Sequence, residues 1–238
     1  MRPATCDHII FCVFYYERKL RREGFDFIIG VDEAGRGPLA GPVVAAAVLL
    51  KASRFKNRID DSKKLSPLSR DKAFPEIIGK SVFGIGIIDE KIIDRVNILR
   101  ATHLAMEEAV NSLIKKLVSY QNCHLVSRVA GKAFCAFPYC KKINPQSKNK
   151  IHIIVDGNMA ANFGFACTPI VKGDAKSKSI AAASILAKVT RDRIMDDYHK
   201  IYPQYGFLEH KGYLTCAHRR ALKKFGPSLI HRKSFHLC

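Results

Sequence analysis

The sequence is short of acidic residues, and the shortage is uneven along the chain. It has 21 Asp and Glu against 40 Lys and Arg, a formal net charge of +19 at pH 7. No acid lies between Glu108 and Asp156, and none follows Glu209. Basic segments without neutralising acids favour contact with a polyanion such as a nucleic acid. A basic surface that serves solubility alone is the other interpretation that composition leaves open.

The sequence also lacks the features of membrane and secreted proteins. The apolar run at 9–16 is too short to span a bilayer, and no small-residue cleavage signal follows it. The basic segments lack the bulky apolar anchors of an amphipathic membrane helix. The eight cysteines show no even framework spacing. We therefore predict reduced thiols, no membrane partner and a cytoplasmic protein.

Residues 119–150 lack a clear hydrophobic period. A loop of this length is either functional or disordered, and its Lys and Arg side chains predict extra non-specific affinity for a duplex. Three cysteines and a histidine leave a zinc site open, although their spacing fits known zinc ligands poorly. These residues are Cys123, His124, Cys135 and Cys140.

Short apolar runs alternate with helical periodicity along the rest of the chain. Runs rich in Val, Ile or Phe predict strands at 26–33, 41–51, 81–89, 151–155 and 166–171. The spacing of apolar residues predicts helices at 14–24, 99–118 and 179–200. This order predicts an α/β protein with a mixed five-stranded sheet flanked by helices.

Four acids fall where predicted strands end. Asp32 and Glu33 close the first strand, Asp156 closes the fourth, and Asp174 follows the fifth. Functional sites of open α/β sheets gather beyond strand ends, so we expect these acids to converge. Neighbouring strand residues point to opposite faces, so Asp32 and Glu33 share a site only if the strand ends there.

Four crowded carboxylates would repel each other, and divalent cations would remove that repulsion. An all-oxygen ligand set favours Mg²⁺ or Mn²⁺ over zinc, and two such ions support phosphodiester hydrolysis. For Asp174, capping of the helix that begins near Ser177 is the alternative. Asp192 lies on the apolar side of that helix and is a candidate for the outer shell of the metal site. An i,i+4 pair with Lys188 is its alternative role.

Seven stretches of the chain occur in the order typical of one family. They begin with Val31-Asp-Glu-Ala-Gly-Arg-Gly-Pro and together are 31–47, 61–65, 155–158, 171–174, 180–192, 205–213 and 226–235. By these motifs the sequence resembles bacterial ribonuclease HII. The resemblance implies a ribonuclease H-like fold with a helical C-terminal extension. It also implies cleavage of the RNA strand of RNA–DNA hybrids and at single ribonucleotides in duplex DNA, leaving 5′-phosphate and 3′-hydroxyl ends.

The resemblance assigns roles to individual residues by motif position. The catalytic residues, which bind two Mn²⁺ or Mg²⁺ ions, would be Asp32, Glu33, Asp156 and Asp174. The substrate-binding residues would be Gly35, Arg36, Gly37, Lys63 and Tyr213. The glycine loop would sense the ribose 2′-hydroxyl, which distinguishes RNA from DNA, and the tyrosine would stack on the adjoining sugar.

Each substrate-binding residue also has a simpler interpretation. Arg36 alone is typical of a plain phosphate contact, and Lys63 of an exposed surface lysine. Tyr213 alone is typical of a packed core tyrosine.

The resemblance divides the chain into an N-terminal segment at 1–24, a catalytic domain at 25–200 and a basic substrate-binding extension at 201–238. We expect a monomer that binds RNA–DNA hybrid and ribonucleotide-containing duplex DNA, and a replication clamp stays open as a partner. A sister family, ribonuclease HIII, shares the acids, but its chains are longer and have an added N-terminal binding domain. A junction resolvase would lack the Gly-Arg-Gly loop, and a noncatalytic binding module would not need four carboxylates.

Overall fold

The described chain consists of five strands and seven α-helices. The computed structural model describes residues 14–123, 150–158 and 162–235. The strands are β1 (Phe27–Ala34), β2 (Val43–Leu50), β3 (Ser81–Ile88), β4 (Ile151–Asp156) and β5 (Ala166–Ile170). The helices are α1 (Tyr15–Arg22), α2 (Pro67–Gly79), α3 (Glu90–Val96), α4 (Ile98–Cys123), α5 (Lys178–Ile201), α6 (Phe207–His210) and α7 (Cys216–Phe225).

The strands form one mixed sheet in the order β3-β2-β1-β4-β5. Strand β2 is antiparallel to β1 and β3, whereas β4 runs parallel to β1 and β5 runs parallel to β4. Val31 of β1 is level with Val155 of β4. The next residue on each strand is an aspartate, so the register alone places Asp32 and Asp156 side by side at the carboxyl edge of the sheet.

Helices cover both faces of the sheet. Helix α4 packs on one face, where Val31, Val155 and Leu113 belong to the same buried cluster. Helix α5 packs on the other face through its alanine-rich side. A Cβ built on Gly30 would lie 2.3 Å from the carbonyl carbon of Ser179. Glycine at this position therefore lets α5 approach the backbone of β1 close to Asp32.

The C-terminal extension forms a smaller core of its own. The rings of Tyr205 and Phe207 are stacked with their centroids 5.4 Å apart. They pack with Met195 of α5 and with Leu39 from the loop that joins β1 to β2. The extension is therefore attached to the same loop that follows the first two acids.

The mixed five-stranded sheet, its flanking helices and the helical extension are confirmed. All five predicted strands and all three predicted helices are present, with small shifts at their ends. Helices α2 and α3 were not predicted. Ser66 caps α2 by accepting a hydrogen bond from the backbone N–H of Ser69, but Pro75 interrupts the helical pattern within it.

Two predictions fall largely outside the described residues. The basic loop at 119–150 is described only where α4 ends and at Lys150, so its zinc ligands and its duplex affinity stay predictions.

Among the helices that the structure describes, none is long and apolar enough to cross a membrane.

Candidate active site

Three carboxylates converge at the carboxyl edge of the sheet. Asp32 comes from β1, Asp156 from β4, and Asp174 from a short 3₁₀ turn after β5. One oxygen from each lies within 4.8 Å of the other two. Asp32 and Asp174 are buried. Parallel strand ends thus bring together acids that are up to 142 residues apart in the chain.

Hydrogen bonds orient this group. An Asp156 carboxylate oxygen accepts the backbone N–H of Gly173 at 2.6 Å, which ties β4 to the turn that carries Asp174. Asp32 accepts the backbone N–H of Glu33 at 2.8 Å, and the Ser184 hydroxyl is close enough to lower the pKa of Asp32 against the effect of burial. Ser184 was not among the predicted site residues. The signal that could have identified it is a hydroxyl within an otherwise apolar stretch of a buried helix.

Burial, together with repulsion from neighbouring carboxylates, raises the pKa values of Asp32, Glu33 and Asp174. Burial, and then the nearby Glu33 and Asp156, raise the pKa of Asp32 well above its ordinary value. Burial, followed by Asp156 and Asp61, raises the pKa of Asp174 to about 6. Burial also raises the pKa of Glu33, with Arg36 opposing the shift. The ionised cluster is therefore unfavourable by itself, and added positive charge would stabilise it.

Glu33 lies beside the three-carboxylate group without belonging to it. Strand β1 continues to Ala34, so Asp32 and Glu33 point to opposite faces. One Glu33 oxygen forms an ion pair with Arg36 at 3.2 Å. Its other oxygen is buried and has no hydrogen-bond partner among the described residues. Asp156 nevertheless contributes to the raised pKa of Glu33, so the two carboxylates interact.

The acids of this cluster raise the pKa of a nearby basic side chain, Lys63. Burial lowers its pKa, but Asp32 and Asp174 outweigh that effect and the pKa is raised. Its segment is held in place by the neighbouring Ser62, whose hydroxyl bonds that of Ser184 at 2.9 Å. Lys63 is thus exposed, as the simpler interpretation proposed, and its charge is attracted by the acids.

The glycine loop and Tyr213 are neighbours. Gly35 has φ +100, and a Cβ at this position would lie 2.2 Å from the Arg191 side chain. A Cβ on Gly37 would lie 3.7 Å from the ring of Tyr213. Tyr213 is 45% exposed, so its interpretation as a packed core residue is wrong. Arg36 is exposed and is paired with Glu33.

Two buried arginines donate hydrogen bonds to backbone carbonyl oxygens of the loop between β1 and β2, and neither was predicted as a site residue. Arg191 of α5 is fully buried and donates to the carbonyl oxygens of Ala40 and Pro42. Arg232, which belongs by sequence to the basic surface of the extension, is 3% exposed. That assignment is wrong for Arg232, because its guanidinium faces the loop and not the solvent. The absence of acids after Glu209 suggested that the cations of the extension are unneutralised, but Lys211 pairs with Asp196 of α5.

The structure decides one alternative left open for α5 and confirms the ion pair named in the other. Ser177 caps the helix by accepting the backbone N–H of Ile180, so the capping role for Asp174 is wrong. The Asp192 carboxylate pairs with Lys188 at 2.7 Å and with Arg70 at 3.8 Å. Asp192 is not a member of the three-carboxylate group.

Comparison with known proteins identifies the family of this chain. The family model described as Ribonuclease HII matches residues 29–238. The ribonuclease HII of Caldanaerobacter subterraneus subsp. tengcongensis is 46% identical over 223 residues, which cover 93% of this chain and 78% of the relative. That of Ruminiclostridium cellulolyticum is 48% identical over 221 residues, 92% of this chain and 74% of the relative.

Solved structures show the same fold at lower identity. The PCNA:RNase HII complex from Archaeoglobus fulgidus gives a TM-score of 0.57 at 21% identity, covering 89% of this chain and 96% of that one. Ribonuclease H2 from Pyrococcus horikoshii OT3 gives 0.54 at 24%, covering 88% and 93%. The family match over most of the chain selects ribonuclease HII among the alternatives. The chain therefore belongs to the ribonuclease HII family, hydrolases that cleave the RNA strand of RNA–DNA hybrids.

Proposed function

We propose that this enzyme cleaves at single ribonucleotides embedded in duplex DNA as well as within RNA–DNA hybrids, leaving 5′-phosphate and 3′-hydroxyl ends. The observation that carries the proposal is the carboxylate group itself. Oxygens of Asp32, Asp156 and Asp174 lie within 4.8 Å of one another at an edge of the sheet that is next to the glycine loop. Hydrolysis and ribose recognition would therefore occur at adjoining places.

Two Mn²⁺ or Mg²⁺ ions would be held by Asp32, Glu33, Asp156 and Asp174. The residues fit hard cations because the donors are all oxygen, the pKa values of three of them are raised, and one buried Glu33 oxygen is without a partner among the described residues. Such ions supply charge neutralisation and water activation for phosphodiester hydrolysis. The chain itself orients Asp32 through the backbone N–H of Glu33.

The loop at 35–37 and Tyr213 would recognise the ribose. Glycine allows backbone amides to approach a sugar more closely than a side chain would permit, and the exposed Tyr213 ring lies against Gly37. Lys63, whose pKa is raised by Asp32 and Asp174, would contact a phosphate oxygen. Asp192 would act in the outer region of the site, because its partner Lys188 has its Nζ 5.9 Å from the centroid of the Tyr213 ring.

A replication clamp is a candidate partner, because the Archaeoglobus fulgidus neighbour was solved as a complex with PCNA. Size-exclusion chromatography of the enzyme with and without the clamp of its own organism would test this proposal. The same column would test the expectation of a monomer.

A gel assay tests the proposed activity. A duplex DNA with one ribonucleotide should be cut once in Mg²⁺ or Mn²⁺ and not in EDTA, while the same duplex without the ribonucleotide stays intact. Products that a DNA ligase can rejoin would show the 5′-phosphate and 3′-hydroxyl ends. Cleavage of hybrids alone would refute the single-ribonucleotide activity, and cleavage in EDTA would refute the metal requirement.

Substitution of Tyr213 tests the recognition site separately. Tyr213→Ala should lower kcat/KM at a single ribonucleotide by about 10-fold or more, since stacking on one nucleotide contributes about 1–3 kcal/mol. Longer hybrids offer other ribonucleotides and should lose less. Tyr15→Ala, at another exposed tyrosine in α1, is the matched control and should change neither rate.

A further inference from the structure

The side chain of Arg232 makes an unusual set of contacts. Its guanidinium donates to the carbonyl oxygens of Gly35 at 2.6 Å and Arg36 at 3.0 Å. It donates twice more to the carbonyl of Gly41, at 2.8 and 3.0 Å. Arg232 lies 197 residues beyond Gly35 in the chain. One residue of the C-terminal extension thus holds both ends of the loop between β1 and β2.

The guanidinium charge of Arg232 lies in buried surroundings that disfavour its ionised form. Burial, and then repulsion from Arg191, lower the pKa of Arg232 to about 9, with Asp94 and Glu90 acting in the opposite direction. None of its hydrogen-bond acceptors is a carboxylate. A planar guanidinium can reach several carbonyl oxygens at once, which a lysine ammonium on a single stem does less well. The geometry of the acceptors accounts for an arginine at this position.

The direction of two carbonyl groups determines the direction of two amides. In a trans peptide the C=O of one residue and the N–H of the next point in opposite directions. With the carbonyls of Gly35 and Arg36 turned toward the buried guanidinium, the N–H groups of Arg36 and Gly37 point away from it. Among the described residues, neither N–H donates to another group. Two backbone donors are therefore presented next to Tyr213.

The same C-terminal segment also holds Tyr213. The backbone N–H of Ser228 donates to Nδ1 of His231 at 2.8 Å, so the proton of neutral His231 is on Nε2. That N–H faces Nε2 of His218 at 2.9 Å, which leaves Nδ1–H of His218 to donate to the Tyr213 carbonyl at 2.9 Å. Residues 228–232 therefore contact the loop directly, through Arg232, and support the backbone of Tyr213 indirectly, through the hydrogen bond from His231 to His218.

We propose that Arg232 is a positioning residue for ribose recognition, which sets the direction of the Arg36 and Gly37 amides toward the substrate's 2′-hydroxyl. This inference rests on the proposed role of the loop. It assigns a specificity function to a residue that does not touch the substrate.

The test compares two substrates that differ in one substituent of one sugar. One duplex DNA carries a single ribonucleotide, and the other carries at the same position a 2′-fluoro nucleotide, whose fluorine accepts a hydrogen bond from an amide N–H far more weakly than a hydroxyl oxygen does. The measured quantity is the ratio of kcat/KM on the first duplex to that on the second. Arg232→Lys should lower this ratio by about 10-fold or more, which corresponds to about 1.4 kcal/mol. Binding of an all-DNA duplex should stay within about twofold of wild type, because phosphate contacts dominate it.

A purely structural role would give a different result, since a smaller folded fraction lowers both rates equally and leaves the ratio unchanged. Leu113→Ala, on the buried side of α4, is the control for that case. An unchanged ratio in folded Arg232→Lys overturns the inference. A wild-type enzyme that does not distinguish the two duplexes overturns the loop's proposed role, and the inference with it.

A second measurement covers the case in which Arg232→Lys does not fold. In EDTA, the ribonucleotide duplex should slow hydrogen exchange at the Arg36 and Gly37 amides of the wild-type enzyme more than the 2′-fluoro duplex does. Equal exchange with the two duplexes would contradict the proposed direction of these amides.

Discussion

The carboxylate group and the arginine-anchored loop are neighbouring regions that both bury charge of one sign, and they resolve it differently. Asp32, Asp156 and Asp174 have carboxylate oxygens within 4.8 Å of one another, and the pKa values of Asp32 and Asp174 are raised. Arg191 and Arg232 are buried as well, but each donates to several backbone carbonyl oxygens.

The difference shows which region depends on a ligand. The loop satisfies its arginines with its own carbonyl groups and so has its shape before substrate arrives. The carboxylates are left in mutual repulsion that bound cations would relieve. The contacts that stabilise the loop therefore also give it the shape that function needs, whereas the carboxylates needed for catalysis destabilise the metal-free protein. Variants of the loop should lose stability, and variants of the carboxylates should lose activity without losing metal-free stability.

The largest effect is expected from Asp32→Asn. Cleavage should fall by about 1,000-fold or more, a loss of about 4 kcal/mol of transition-state stabilisation. Metal-free thermal stability should be retained or increased, because the variant removes a buried charge from a repelling group. Rates on hybrid with Mn²⁺ and melting curves in EDTA measure the two effects. Full activity would contradict the catalytic role of Asp32. A large loss of metal-free stability would contradict the repulsion between Asp32 and the neighbouring acids.

Gly35→Ala should have the largest effect on the loop. A positive φ costs an alanine about 1–3 kcal/mol, and the new methyl group would also overlap the Arg191 side chain. We expect a loss of unfolding free energy on the order of 2–5 kcal/mol by urea denaturation. Gly24→Ala is the matched control, because Gly24 has φ +96 and no atom within 4 Å of the added Cβ. Equal losses for the two variants would mean that the buried arginine adds nothing.

Acidification should change the stability of the two regions in opposite directions: the C-terminal segment that carries His231 and Arg232 should become less stable, and the metal-free carboxylate group more stable. Burial, then repulsion from His218, lower the pKa of His231 to about 4, so its contribution to stability is complete above pH 6.5 and is lost as pH falls toward 4. The pKa of Asp174 is raised to about 6, so in metal-free protein the destabilisation from its charge is relieved as pH falls through 6.

Melting temperatures in EDTA from pH 7.5 to 4.5 would separate these contributions. Asp174→Asn should lose stability on acidification more steeply than wild type, and His231→Asn less steeply. Parallel curves for all three proteins would contradict both assignments.

The smallest effect is expected at the exposed basic helix α7. Replacing Lys223 and Lys224 with Gln should weaken hybrid binding without changing turnover. The slope of log K against log salt should become shallower by about 0.9 for each phosphate that the helix no longer neutralises. Lys200→Gln is the control, since Lys200 is paired with Asp197. An unchanged slope would place the duplex elsewhere, away from this helix.

Local patterns in the sequence were sufficient for the strands, the long helices and the positions of the four acids. The apolar runs ending at Asp32 and Asp156 predict strands because alternation and burial are properties of a few adjacent residues. Helix α2 was missed because Pro75 obscures its periodicity, although Ser66 and Pro67 mark its start. The seven motifs predicted the family for the same local reason.

The tertiary structure alone decided which charged groups share an environment. It brought Asp174 to Asp32 and left Glu33 beside them, because the parallel register sets which strand ends meet. It also buried Arg232, which the sequence presents as one more cation of a basic tail, against a loop 197 residues away. Periodicity reports the neighbours of a residue along its own helix or strand, whereas these contacts depend on how distant elements pack.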